Sequence, residues 1–118
     1  MKNTLARAHL FSAIEGGSIF WSTEISKFGA IEVRDRIVDK KYGESNSASK
    51  IAERLKQSSG EEVITQITSA GAFFLTPDDI DWPISLNDLA APPIALLIKG
   101  QREYLPNLIA QLFPPTVA

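Results

Sequence analysis

The 118-residue sequence contains no cysteine, so disulfide bridges and thiolate metal sites are excluded, and a reducing, cytoplasmic setting is the expected location. Histidine occurs once, as His9, with no acidic residue one helical turn away. A general base or a nucleophile pair needs an orienting partner, so His9 reads as a half-buried helix residue rather than a catalytic group. Long apolar runs are also lacking. No stretch approaches the roughly 20 residues that cross a bilayer, and Arg7, His9 and Glu15 interrupt the start before a signal-peptide core is complete. No membrane partner is expected.

An excess of either charge is missing too. Residues 1–70 hold ten Lys/Arg against nine Asp/Glu, a balance of +1; residues 71–118 hold two against five, a balance of −3; together they give the formal −2. Proteins that hold nucleic acid mainly by neutralising phosphates gather Lys and Arg on one face. Any main DNA contact is therefore expected outside this chain.

What is present is the composition of an ordinary folded protein, 44% hydrophobic and 22% charged, enough for one modest core or two small ones. Apolar periodicity predicts five helices in residues 1–70. The first covers residues 4–14, with Leu5, Ala8, Leu10, Phe11, Ala13 and Ile14 apolar, and Gly16-Gly17 stops it. Ser18 is an N-cap for a second, carrying Ile19, Phe20, Trp21, Ile25 and Phe28, with Gly29 where a left-handed C-cap is wanted. The third runs over residues 30–41, with Ile31, Val33, Ile37 and Val38 toward a core and Lys40 and Lys41 suited to the C-terminal dipole. A fourth covers residues 49–58. Ser59-Gly60-Glu61-Glu62 then reads as cap and first turn of a fifth, with Val63, Ile64 and Ile67 inward and Gly71 closing it.

The period changes after Gly71. Residues 72–76 and 94–99 are short apolar runs bounded by Gly and Pro, which predict two buried strands of a parallel-type sheet. Between them lies an acidic connector with one helical turn carrying Leu86 and Leu89, and Pro92-Pro93 forces an extended entry to the second strand. Beyond Gly100, Tyr104, Leu105, Leu108, Ile109, Leu112 and Phe113 have helical spacing, with Pro106 restricted to the first turn, and residues 114–118 read as the lead into a further strand. The expected fold class is thus α+β: a helical domain over 1–70 and the leading part of an α/β domain over 71–118.

Thr76-Pro77-Asp78-Asp79-Ile80-Asp81-Trp82-Pro83, followed by Leu86, Leu89, Pro92-Pro93, Leu96 and Lys99-Gly100, resembles the opening of the Rossmann-like domain of the bacterial DNA-processing protein A family (DprA, also called Smf). Ala6-Arg7-Ala8, Glu15-Gly16-Gly17 and Phe28-Gly29-Ala30 resemble that family's N-terminal helical region, whose folds are similar to sterile-alpha-motif or helix-hairpin-helix units. Gly16-Gly17 departs from the pattern, since proline is more usual there. The resemblance implies a protein that binds single-stranded DNA, dimerises and helps to load the RecA recombinase in natural transformation. It also implies that the chain is the leading fragment, because the family's Gly-Ser-Arg phosphate-facing loop would follow the strand begun by Thr116-Val117-Ala118. On this reading the chain is a scaffold or interaction region and not an enzyme, with no cofactor and no nucleic-acid-binding residue assigned. A self-contained interaction or homodimerisation module is the alternative.

Asp78, Asp79, Asp81 and Asp88 invite a hard-cation reading, but turn capping around prolines explains them, and the glycine and bidentate glutamate of a calcium loop are absent. Trp21 and Trp82 are weighed as base-stacking platforms against packing roles. Gly16-Gly17-Ser18 is weighed as a phosphate-holding helix start against an ordinary junction. Arg34, Arg36, Lys40 and Lys41 alternate with Glu32, Asp35 and Asp39, which favours a solvated, ion-paired face.

Overall fold

The computed structural model describes residues 2–14, 18–43 and 47–99. Five helices come first: α1 (Lys2–Ala13), α2 (Ile19–Phe28), α3 (Ala30–Val38), α4 (Ala48–Lys56) and α5 (Gly60–Ser69). Two strands follow, β1 (Ala72–Leu75) and β2 (Leu96–Lys99), with a 3₁₀ turn over Ile84–Asp88 between them. The class is mixed α+β. The expected helix after Gly100 and strand at residues 114–118 lie outside the described residues, as do Glu15, Gly16 and Gly17.

Caps determine where the helices begin and end. The Ser18 hydroxyl accepts the Trp21 N–H at 3.2 Å and the Ser59 hydroxyl accepts the Glu62 N–H at 3.2 Å, each satisfying a donor that the first turn leaves open. Gly29 has φ +84° as expected, but its ψ of 158° makes it an extended joint rather than a left-handed cap. The reason is that one residue serves two helices. Its N–H closes α2 on the Ile25 carbonyl at 2.8 Å, and its carbonyl accepts the Val33 N–H to open α3 at 3.1 Å.

Helix α3 stops at Val38, three residues before its expected end. Lys40 turns left-handed at φ +60°, and the Lys41 and Lys40 N–H groups bond back to the Arg36 and Ile37 carbonyls, the pair that makes a Schellman closure. A lysine thus stands where glycine is usual. Of the apolar residues expected inward on α3, Val33 and Ile37 are buried, whereas Ile31 and Val38 are exposed.

Helix α1 is the centre of the helical unit and packs on α3, α4 and α5. Its buried face is Ala6, Leu10 and Ala13, with Ile14 just beyond, joined by Trp21, Ile25, Ala30, Val33, Ile37, Ala48, Ile51, Ala52 and Leu55 in one apolar cluster. The small alanines let neighbouring helices come close. A close approach occurs at Gly60, the first residue of α5, where a Cβ would lie only 2.3 Å from the Leu5 carbonyl oxygen.

The two apolar runs do share a sheet, but they run antiparallel, with Phe73 opposite Ile98 and Leu75 opposite Leu96. The parallel-type expectation is corrected here for a physical reason. A parallel return needs a crossover that carries the chain back along the sheet, usually on a helix, and the connector contains only the one short 3₁₀ turn. Asp79 starts the reversal: its Oδ2 accepts the Thr76 N–H at 2.8 Å and its carbonyl accepts the Trp82 N–H at 3.1 Å. Leu75, Leu96 and Ile98 on one sheet face form a second, smaller cluster with Trp82 and Leu86. Leu89, expected beside Leu86, is exposed because the chain has already left the turn in extended conformation.

The other sheet face meets the helices. The Phe74 ring stands edge-on to Phe11 of α1 at 5.6 Å between centroids, and Ile94 packs on the helical core. Two polar bonds fasten the same seam. Arg7 Nη1 donates to the Ile94 carbonyl at 2.7 Å, and the Ser22 hydroxyl donates to the Pro92 carbonyl at 2.9 Å. Burial pushes the Arg7 guanidinium below its ordinary value while the Asp78 carboxylate works against that shift, and Arg7 Nε is buried without a partner. Arg7→Ala is therefore expected to cost about 1.5–3 kcal/mol, the usual worth of a hydrogen bond from a charged donor. Urea denaturation measures the loss, and faster amide exchange around Ile94 localises it.

Candidate functional site

The start of α2 and one face of α4 enclose an open cleft of about 340 Å³, lined by Ser18, Phe20, Trp21, Lys50, Ile51 and Arg54, among others. Local sequence explains the arrangement. On α4, Ile51 and Leu55 face the core, and Lys50 and Arg54, one residue earlier in each turn, fall side by side on the adjoining strip. Arg54 Nη1 donates to the Ala13 carbonyl at 3.0 Å, at the C-terminal end of α1, where a cation suits the dipole. Among the described residues, no carboxylate lies within ion-pair distance of Lys50 or Arg54; the pairs formed are Arg34–Asp35, Arg36–Glu32 and Lys56–Glu53.

Aromatic rings build the opposite wall. Phe20 stands edge-to-face with Trp21 at 4.8 Å and with Tyr42 at 6.0 Å, and Trp21 with Tyr42 at 5.0 Å. Burial, and then the neighbouring Glu24 carboxylate, push the Tyr42 phenol above its ordinary value, with Arg36 opposing. Trp21 is only 4% exposed and belongs to the core, whereas Phe20 keeps 37% of its surface accessible. The cleft thus combines two cations, one accessible ring and the positive end of the α2 dipole.

The other residues singled out in the sequence serve the fold. Trp82 is buried and its indole N–H donates to Asn87 Oδ1 at 3.1 Å, so neither tryptophan offers a face for stacking. Asp79 caps the Thr76 turn, Asp78 accepts a hydrogen bond from the Asn3 amide, and no three acidic or histidine side chains converge among the described residues. His9 Nε2 donates to the Leu55 carbonyl at 2.7 Å and ties α1 to the end of α4. Of the alternating charges, Arg34 pairs with Asp35 at 3.5 Å and Arg36 with Glu32 at 2.9 Å, the Arg36 guanidinium lying 3.9 Å from the Phe28 ring centre, while Lys40, Lys41 and Asp39 form no ion pair among the described residues. Ser18 caps α2 as an ordinary helix junction does, while Gly16 and Gly17 lie outside the described residues.

No protein family, curated protein or solved structure matches the chain. Lys50 and Arg54 were not singled out in the sequence. Their four-residue spacing was visible, but it becomes a site only once Ser18 and Phe20, some thirty positions earlier, are folded against it.

Proposed function

We propose that the chain is the N-terminal part of a DNA-processing protein of the DprA/Smf type, acting as scaffold and interaction region beside the main single-stranded-DNA pocket. In this reading the helices form the sterile-alpha-motif-like or helix-hairpin-helix-like unit, and the strand pair opens a Rossmann-like sheet. An antiparallel edge pair is compatible with that, because many doubly wound sheets carry one. The protein works in the cytoplasm, binds single-stranded DNA through the region after this chain, and contributes surface to RecA recombinase or to a second copy of itself. It has no catalytic step of its own.

One observation carries the proposal. The segment whose residues resemble the family is the part that joins the two units: Thr76 is buried, Trp82 and Leu86 are buried against the strand pair, and Pro92 and Ile94 are bonded to α2 and α1. These positions therefore do a defined mechanical job, holding a sheet in a set place on a helical body, as a scaffold requires.

A titration of fluorescein-labelled oligothymidylate tests it, using this chain and the gene product extended past Ala118. The chain is expected to bind weakly, with Kd in the non-specific range of about 10⁻⁴–10⁻⁶ M, and the extended protein at least tenfold more tightly. Equal binding by the two, or none by the extended protein, refutes the reading.

A further inference from the structure

The geometry points to a second nucleic-acid contact on the helical unit: the cleft between α2 and α4 takes two successive phosphodiesters of a single strand, one at Lys50 and one at Arg54, with the adjoining base against Phe20. This inference rests on the DNA-processing reading and adds a site to it.

Three features of the cleft select the ligand. Its lining holds two cations and no carboxylate among the described residues, so an anion is favoured over a cation or a neutral solute. At about 340 Å³ it lies within the span of small-ligand sites, roughly 300–1,000 Å³, and is wide enough for a nucleotide unit rather than for phosphate alone. Phe20 supplies an accessible ring already held in place by Trp21 and Tyr42, so little freedom is lost when a base covers it. A cationic groove beside an aromatic ring is how proteins hold unpaired strands without reading sequence, because every base has a π-face. Duplex DNA keeps its bases stacked and has no face to present there.

Two contacts also account for weak binding by a chain with no overall basic excess. Each phosphate neutralised on a single strand contributes about −0.7 to the slope of log Kobs against log salt, so two give about −1.4.

The test uses oligothymidylate anisotropy from 20 to 200 mM salt, with circular dichroism confirming that each variant is folded. Lys50 is exposed and bonded to nothing described, so Lys50→Ala leaves the fold intact. It is expected to flatten the slope from about −1.4 to about −0.7. Phe20→Leu is expected to weaken binding about fivefold or more with the slope unchanged, since stacking carries no counterion release. An unchanged slope in Lys50→Ala overturns the inference. So does saturation by inorganic phosphate, followed by tryptophan fluorescence, at concentrations where the oligonucleotide has no effect, which marks a free-anion site instead. If the extended protein binds the strand while Lys50→Ala is without effect, the DNA-processing reading stands and only the cleft is lost. If neither protein binds, both are lost.

Discussion

Gly60→Ala is expected to destabilise the protein by about 1–3 kcal/mol, the range for forcing an extra methyl into a filled space. The sign is the informative part. In an exposed helix the same change is favourable by up to about 1 kcal/mol, because alanine loses less conformational entropy than glycine. Here the new Cβ would lie 2.3 Å from the Leu5 carbonyl oxygen and 2.9 Å from its carbon. Both are backbone atoms, so no rotamer change relieves the overlap, and α5 has to move away from α1. Thermal unfolding followed at 222 nm should show Tm lowered by about 4–8 °C per kcal/mol, the scale for a domain of about 100 residues. A raised Tm would mean that α1 and α5 do not approach closely at this point.

Trp82→Ala is expected to cost about 3–5 kcal/mol, as large-to-small changes at buried aromatic positions do. The second cluster consists of Leu75, Trp82, Leu86 and Ile98 with Leu96 against it, and Trp82 is the one aromatic residue among these members. The indole also leaves the Asn87 carbonyl oxygen without its donor. The loss should be uneven across the molecule. No buried member of the helical cluster comes from the strand-bearing segment, and Ile94 only packs on its edge. Trp82→Ala is therefore expected to speed amide exchange at Leu75 and Ile98 by orders of magnitude while helical ellipticity falls little. Loss of helix and sheet in one step would contradict two cores and require the Arg7 and Ser22 bonds to couple the units tightly.

Much of the architecture was legible because it depends on neighbours in the chain. Ser18 and Ser59 cap their helices through groups three residues away, and Gly29 and Gly71 take positive φ where side chains would be penalised. The change from helical period to short runs at Gly71 also located the strands. Reading failed where a local preference had two outcomes. Lys40 and Lys41 suit either a continuing helix or a Schellman closure, and backbone bonding chose the second. The apolar residues Ile19, Ile31 and Val38 match helical spacing but lie at the margins of their buried stripes and remain exposed.

By itself the sequence determined the five helices, the two short strands and the serine caps of α2 and α5, since each follows from spacing and backbone chemistry within a few residues. Only tertiary structure decided the direction of β2 against β1, the need for glycine at position 60, the task of Arg7 and the meeting of Lys50 and Arg54 with Phe20. These depend on contacts between segments distant in the chain. Their free energy comes from burial and desolvation at surfaces that do not exist until the helices have packed.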